Sequence, residues 1–421
     1  MESTMATRAQ RMPHRMTEPR GTPAAFASKS AICEEMVAVC AKAYGARLRA
    51  IVLAGSLARN EGTFIARDGC SVLLGDADVF LVFRDNAGVP AAAEVTSLGK
   101  SIEARLAERG IRGTIGVDAV SARYLQVLAP RILSYEIRQT SQVLWGDKNV
   151  LSLIPDFSPA EISREDAWRM LCNRMIEQLD FVNESAIDTE RLNPALQYAV
   201  IKLYLDLATS YLLFAGAYEP TYRVREKRLR ELAGLPSHGS QPFPLNPFSA
   251  RVSECTEQKL SGELNGNWGS SSWQEAISYA IQLWRWEAVL LTSEPNEFST
   301  AQLCQSMAKR LTNAQKLRGW FSVARRAGWW KSWRRWPGWA RMSFQTSPRY
   351  GVYQAAILLA EQLCAVAQNG AGETVSAVDL QEFNRLLPVP AIPKDETKLS
   401  WTELAKAIVL NYQRFLTGTT T

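Results

Sequence analysis

Short apolar runs and helical patterns alternate along the first third of the chain. Apolar residues at helical spacing predict a helix over 29–47, and a second helical pattern over 95–109 ends at Gly110. Four apolar runs are short enough to be strands, at 49–54, 76–83, 114–120 and 141–144. Strands that alternate with helices over about 100 residues are typical of a small α/β unit, which we place at residues 29–147.

The remainder of the chain has helical periodicity almost throughout. Helices are predicted over 163–184, 194–216, 272–292, 300–327, 350–368, 378–386 and 402–415. The stretch 233–250 is rich in Pro, Ser and Gly and predicts a loop. The stretch nearest to a membrane span, 195–217, contains Lys202 and Asp206 and therefore favours a buried helix. We predict an α+β protein, in which a small mixed-sheet core precedes a large all-helical domain at 148–421.

Residues 1–28 show neither helical nor strand periodicity. They carry four arginines, and no apolar segment of the kind found in signal peptides follows them. We predict a flexible N-terminal tail.

Histidine and cysteine usage limits the chemistry that the chain can perform. Only His14 and His238 are present, and the seven cysteines form no Cys-x-x-Cys pair. This nearly excludes zinc sites, Ser-His-Asp triads and Cys–His pairs, so any catalysis must depend on carboxylates, lysines or hydroxyls. An odd number of cysteines within apolar helical patterns favours a reducing cytoplasm as the location.

Three aspartates stand in otherwise apolar strand patterns. Asp76 and Asp78 are two positions apart, so on a strand their carboxylates point to one face and repel each other unless a cation lies between them. Asp118 lies in the next predicted strand and joins them if the two strands are neighbours. Clustered carboxylates suit Mg²⁺, with Mn²⁺ as the alternative, and two such ions can assist a phosphoryl transfer. Alternatively, Asp76 belongs to a turn after Gly75 and Asp118 is a solvated strand residue.

A Gly55-Ser56 pair directly follows the first predicted strand. Glycine lets the backbone approach a phosphate without a Cβ in the way, and the Ser hydroxyl with the following amides can donate to anionic oxygens. These two residues are therefore candidates for binding a nucleotide.

The order of strand, Gly-Ser and then Asp-x-Asp on the next strand resembles the signature of the DNA polymerase β-like nucleotidyltransferase superfamily, which includes the aminoglycoside nucleotidyltransferases. The resemblance covers about residues 28–147. It implies that Gly55 and Ser56 bind the triphosphate, that Asp76 and Asp78 are the metal-binding pair, and that Asp118 is the third acid. The 20 positions between Ser56 and Asp76 exceed the usual spacing, and we interpret the extra residues 64–75 as a hairpin.

In this superfamily a helical domain commonly lends a Lys to the phosphates, and the resemblance makes Lys202 the candidate. The alternative is that Lys202 pairs with Asp206, four positions further along the same helix. Tyr222 and the arginines that follow it could bind phosphate or acceptor. Their alternative is a solvated basic helix that continues to Arg230.

The segment 318–341 combines tryptophan with basic residues. It holds six of the chain's 13 tryptophans. Between Lys316 and Arg349 lie nine basic residues and no acid, and subtracting these nine from the net charge of +6 leaves −3 for the rest of the chain. Such a segment could contact nucleic acid, a glycan or an anionic membrane surface, or its indoles could fill gaps between helices. Because Pro337-Gly338 interrupts it, we expect one short helix and a loop.

These patterns favour a metal-dependent nucleotidyltransferase that transfers NMP from ATP or another NTP to a hydroxyl acceptor and releases pyrophosphate. The acceptor class stays open between a small molecule, a sugar, a protein and a nucleotide. The alternatives are a catalytically silent regulator of the same fold that binds nucleotide or nucleic acid, and a membrane-associated scaffold. The expected location is the cytoplasm, with peripheral membrane contact through 318–341.

Overall fold

A five-stranded mixed sheet occupies the first third of the computed structural model, which describes residues 22–182, 192–236, 240–264, 268–369, 374–375, 377–390 and 399–416. Its strands are β1 (Leu48–Ala54), β2 (Thr63–Arg67), β3 (Cys70–Phe83), β4 (Ile111–Ser121) and β5 (Gln142–Gly146). The long strand β3 pairs antiparallel with β1 and β2 and parallel with β4, while β5 pairs antiparallel with β1. Such a sheet, together with the helices below, fits the predicted α+β class.

The unusually long segment before Asp76 forms a hairpin, as the sequence indicated. Strands β2 and β3 pair from Arg67 with Cys70, and the turn residues Asp68 and Gly69 have φ of +51° and +72°. Two consecutive positive φ values are typical of the tight turn that matches strand twist. The first residue of β2, Thr63, donates from its hydroxyl to the carbonyl of Lys259 at 2.8 Å, so the hairpin contacts the helical part of the protein.

The two faces of β3 have different surroundings. Ala77, Val79 and Leu81 are buried in a cluster with helices α1 (Pro23–Tyr44) and α3 (Ala92–Glu108). The opposite face carries Asp76, Asp78 and the half-buried Phe80. Alternation along the strand therefore directs the two carboxylates away from the α1–α3 layer.

Three short helices lie among the strands: α2 (Gly55–Ala58), α4 (Ala122–Gln126) and α5 (Ile132–Thr140). Beyond β5 the described chain is almost entirely helical. Its helices are α6 (Arg164–Leu179), α7 (Pro194–Phe214), α8 (Tyr222–Ala233), α9 (Leu245–Ser261), α10 (Ser270–Thr292), α11 (Thr300–Lys309), α12 (Asn313–Ala327), α13 (Trp329–Ser332), α14 (Trp336–Ser343), α15 (Pro348–Asn369), α16 (Ala377–Leu386) and α17 (Trp401–Phe415). A two-residue ladder joins β6 (Thr374–Val375) to β7 (Leu399–Ser400).

Large aromatic side chains form the centre of the helical core. Trp168 of α6 is 1% exposed and lies 6.4 Å from Trp284 of α10 and 5.7 Å from Tyr353 of α15, measured between ring centroids. Helix α7 is buried along most of its length, which confirms the prediction of a buried helix there. Among the described residues, each helix is too short or too polar to cross a lipid bilayer.

Several predicted boundaries were wrong. Helix α1 begins at Pro23, six residues before the predicted start at 29, because the Thr22 side chain caps the first turn and Pro suits its first position. The rest of the predicted tail, residues 1–21, lies outside the described residues, as do His14 and His238. The predicted loop 233–250 gives way to α9 at Leu245, and the predicted helix 300–327 is two helices because Thr312 caps the second.

The tryptophan-rich segment was also predicted incorrectly. It forms α13, a single 3₁₀ turn at Trp333–Arg335, and α14 in direct succession, in place of one helix and a loop. Pro337 lies in the first turn of α14, where the missing N–H has no hydrogen-bond partner to lose. The proline therefore starts a helix at this position.

Candidate functional site

Three carboxylates share one face of the sheet. Asp76 and Asp78 are alternate residues of β3, and the parallel register pairs Asp78 with Gly116 and Phe80 with Asp118. Paired residues of neighbouring strands point to the same side, so Asp118 lies on the face of Asp76 and Asp78, diagonally across from Asp78. Strand adjacency, which the sequence argument had to assume, is observed.

Two glycines flank the Asp78 carboxylate. A Cβ on Gly55 would lie 2.6 Å from Asp78 Oδ2, and a Cβ on Gly116 would lie 3.0 Å from Asp78 Oδ1. Gly55 also has φ of +68°, which L side chains rarely adopt. Glycine at position 55 is therefore required both by the backbone and by the close approach of the aspartate.

The carboxylates have no directly contacting hydrogen-bond or ion-pair partner among the described residues. None of Asp76, Asp78 and Asp118 accepts a hydrogen bond from a described group or lies within 4.0 Å of a described basic nitrogen. Burial, together with the charges of Asp76 and Asp118, raises the pKa of Asp78 to about 6, and Lys202 and Arg59 limit the rise. Desolvation also raises the pKa of Asp118, although the side chains of Asp76 and Asp118 are exposed and only Asp78 is half buried. The site has an excess of negative charge that a cation would neutralise.

Ser56 lies beside this cluster in the short helix α2, at the start of the connection from β1 to β2. Its side chain is half buried, and its hydroxyl makes no hydrogen bond with other described residues. The connection itself is held in place: the Gln142 amide donates to the Ala58 carbonyl at 2.5 Å, and the Lys29 ammonium donates to Asn60 Oδ1 at 2.6 Å. A fixed connection with an unused hydroxyl can donate to a ligand without rearrangement.

Lys202 extends from α7 towards the carboxylates. The predicted alternative, a pair with Asp206, is wrong, because Asp206 Oδ2 accepts from Arg174 at 2.6 Å. Lys202 is half buried and acts electrostatically on Asp78, and no described carboxylate lies within 4.0 Å of its Nζ. The structure thus places Lys202 within electrostatic range of Asp78, and its role in nucleotide binding stays a prediction.

Tyr222 occupies different surroundings. Its ring centroid lies 5.2 Å from the guanidinium of Arg59, 5.3 Å from that of Arg225 and 5.5 Å from Lys259 Nζ. Its role in nucleotide binding stays a prediction. The alternative of a solvated basic helix is wrong for Arg225, which is 3% exposed.

A buried ion network that sequence reasoning missed joins the sheet to the helices. Glu136 of α5 accepts from Arg59 at 2.8 Å, from the Tyr218 hydroxyl at 2.7 Å and from Arg225. Arg59 also pairs with Glu61 at 2.8 Å. Arg59 follows the Gly-Ser loop and acts on Asp78. Its proximity to Gly55-Ser56 was the only available signal, since its partners are distant in sequence.

The donor set is compatible with Mg²⁺ in an open arrangement. Carboxylate oxygens on one sheet face are the ligands this ion prefers, and it usually shares its coordination with water and substrate phosphates. Within the described part of the chain, no three Asp, Glu, Cys or His side chains stand close enough to enclose a metal ion by themselves. A bound ion would therefore need oxygens from water or substrate.

A cleft of about 340 Å³ lies between α8 and α9. It is lined by Arg223, Glu226, Arg230, Ser253, Thr256 and Glu257. Glu226 accepts from both Arg230 and Ser253, so much of its polar lining is internally paired. Of the residues singled out from the sequence, the cleft contains Arg223, the first of the arginines that follow Tyr222.

Comparison with known proteins gives little further guidance. No family model and no curated protein sequence matches the chain. Among solved structures, the chain is similar to spectinomycin adenyltransferase AAD(9) from Enterococcus faecialis, determined with ATP and spectinomycin, at 11% identity. The match covers 54% of this chain and 98% of that chain, with a TM-score of 0.29. A likeness this weak supports no inference about function.

Proposed function

We propose that the protein is a metal-dependent nucleotidyltransferase that moves an NMP group from an NTP to a hydroxyl acceptor and releases pyrophosphate. The observation that carries the proposal is the set of three unpaired carboxylates on one sheet face, beside Gly55-Ser56 and Lys202. Clustered like charges without hydrogen-bond partners are costly to a fold. They are typical of sites where a ligand supplies the missing positive charge.

Each residue has a distinct task in this proposal. Asp76 and Asp78 hold divalent cations, and Asp118 completes one of these sites and accepts the proton of the attacking hydroxyl. When bound, Mg²⁺ or Mn²⁺ supplies charge neutralisation at the phosphoryl oxygens. The Ser56 hydroxyl donates to the triphosphate, and Gly55 keeps space open for it. Lys202 binds the outer phosphates as a point charge.

The direct test is pyrophosphate release. The full-length protein is incubated with Mg²⁺ or Mn²⁺, each of the four NTPs, and fractionated cell extract as the source of acceptor. We expect release with at least one NTP, a metal requirement shown with EDTA, and a fall of at least about 10³-fold for Asp78→Asn and Asp76→Asn, because charge neutralisation at the phosphates is lost.

Asp68→Asn is the matched control. Asp68 is on the same hairpin but at its exposed tip, with a φ of +51° that Asn also tolerates. It should retain full activity. The proposal fails if no NTP yields pyrophosphate with any fraction. Nucleotide binding that occurs without turnover, and that Asp78→Asn leaves unchanged, would instead indicate the catalytically silent regulator.

A further inference from the structure

The tryptophans of 318–341 divide into two groups. Trp320 and Trp339 are 5% and 7% exposed and stack on each other, with ring centroids 6.2 Å apart. Their indole N–H groups donate to the carbonyls of Thr346 and Pro388. These two fill gaps between helices, which was one of the alternatives predicted for the whole segment.

The other four tryptophans are on the surface. Trp330 is 88% exposed, Trp333 58%, Trp329 38% and Trp336 37%. Two further apolar side chains extend this surface along α12, where Leu317 and Phe321 lie one turn apart and are 55% and 58% exposed. We call these six residues, with the basic residues among them, the Trp/Arg surface. Large apolar side chains exposed together mark a contact site more often than a solvated face.

The charge of the Trp/Arg surface has one sign. Its exposed basic residues are Arg318, Arg325, Arg326, Lys331, Arg334, Arg335 and Arg341, and the segment contains no acid. Arg326 donates to the carbonyl of Arg414, and none of the other six lies within 4.0 Å of a described carboxylate. A surface of unneutralised cations is complementary to a partner with many negative charges.

We propose that the Trp/Arg surface binds peripherally to an anionic lipid membrane. Arg and Lys would contact headgroup phosphates while Trp, Phe and Leu enter the boundary between headgroups and acyl chains. The four surface tryptophans and the seven exposed cations all lie within residues 318–341. One short segment therefore supplies both the apolar insertion and the electrostatic attraction.

The aromatic geometry favours lipid over nucleic acid. Bases stack on open ring faces, but three of the rings here, those of Phe321, Trp329 and Trp336, pack edge to face. The ring planes of Trp329 and Phe321 make an angle of 72°, with centroids 5.2 Å apart. Those of Trp329 and Trp336 make an angle of 85°, with centroids 5.0 Å apart. An aliphatic Leu317 beside them offers nothing to a base. Such a compact apolar cluster suits insertion between lipids.

The test is co-sedimentation of the full chain with vesicles of neutral phosphatidylcholine, alone or with about 30% phosphatidylglycerol. We expect binding to the anionic vesicles only. Trp330→Ala with Trp333→Ala should weaken it at least about 10-fold through lost apolar insertion, and Arg334→Gln with Arg335→Gln about 30-fold through lost attraction. Because both pairs are exposed, the fold should be retained; Trp330→Ala alone serves if the double variant is unstable.

Matched controls lie elsewhere on the surface. Tyr124→Ala and Arg228→Gln remove an aromatic residue 49% exposed and a cation 50% exposed, and both should bind vesicles like the parent. Equal binding to neutral vesicles would overturn the proposal. Binding of single-stranded DNA without binding of vesicles would also overturn it and would indicate a nucleic-acid surface. A stable dimer in solution that protects the four tryptophans from quenching by acrylamide would overturn it as well.

Discussion

Two clusters of ionisable side chains lie near Asp78, and they differ in whether their charges are paired. In the junction cluster of Arg59, Glu136 and Arg225, opposite charges are paired by direct contacts. In the carboxylate cluster of Asp76, Asp78 and Asp118, negative charges stand together without a described partner. Burial opposes ionisation of Glu136, but Arg59 and Arg225 more than compensate and lower its pKa, whereas the pKa of Asp78 is raised to about 6.

The contrast separates structural charge from functional charge. Paired buried ions contribute specificity to the fold, since removal of either partner leaves the other unsatisfied. Unpaired carboxylates cost stability, and in the proposed function a bound cation would offset that cost. The junction cluster therefore holds the loop after Gly55-Ser56 against the helices, and the carboxylate cluster faces the proposed nucleotide.

The largest expected effect comes from breaking the junction cluster. Glu136→Gln should lower the free energy of unfolding by about 3–5 kcal/mol, because two arginines lose their buried counter-charge. Since the pKa of Glu136 is lowered by folding, its contribution is fully present above the carboxyl's unfolded pKa of about 4.3 and is lost as pH falls through the lower folded pKa. Urea unfolding of both proteins at pH 7 and at a series of pH values below about 4 measures this.

A surface pair provides the control for Glu136→Gln. Glu231 is 46% exposed and pairs with Arg228 at 2.8 Å, so Glu231→Gln should cost less than about 0.5 kcal/mol. Equal losses from the two variants would show that the junction cluster is not a stabilising network.

The next effect should come from Gly55→Ala, which introduces a Cβ 2.6 Å from Asp78 Oδ2. We expect pyrophosphate release to fall about 100-fold, because small displacements at a reacting centre have effects of this size. Gly110→Ala is the matched control: its φ of +72° imposes the same backbone strain, but nothing lies within 4 Å of the added Cβ. Equal losses of activity would refute a specific contact with Asp78.

The carboxylate cluster could be predicted from sequence because it depends on local periodicity. Asp76 and Asp78 share a face wherever that segment is a strand. The prediction for Asp118 depended on which strands are neighbours in the sheet, and the sequence does not determine this. The observed pairing of Asp118 with Phe80 places Asp118 on the same face as Asp78. Helix α3, predicted correctly as an element, makes that parallel pairing possible by connecting β3 to β4.

The junction cluster could not be predicted because its partners are far apart along the chain. Glu136 lies 77 residues from Arg59 and 89 from Arg225, and no short-range pattern encodes such contacts. Composition also misled in two places. Pro and Ser hid the helix that begins at Leu245, and the six tryptophans of 318–341 divide into two that are buried and four that are exposed.

Removing the cation opposite the carboxylates should have a smaller effect. Lys202→Met is expected to raise the KM for NTP about 10-fold with a lesser change in kcat, because one phosphate contact is lost while the metal-binding groups remain. Lys202→Arg should restore part of the affinity. Lys227→Met, which removes an exposed cation of α8, is the control and should behave like the parent. An unchanged KM would place Lys202 outside the nucleotide site.

The smallest expected effect is a change in the free energy of unfolding, and its sign is opposite to that expected for Glu136→Gln. Without divalent cations, Asp78→Asn is expected to raise the free energy of unfolding by about 1 kcal/mol, since it removes a charge that burial and two like neighbours disfavour. Because folding raises this pKa, the penalty is complete above about pH 6 and disappears as pH falls below the unfolded value of about 4.

Thermal unfolding in EDTA at pH 8 and pH 4 therefore distinguishes the clusters. The Asp78→Asn substitution should increase Tm at the higher pH and leave it unchanged at the lower one. Added Mg²⁺ should stabilise the parent protein more than the variant, because binding to the native state alone stabilises it. A loss of stability at pH 8 would mean that Asp78 has a favourable partner, and the distinction between paired and unpaired charge would no longer hold.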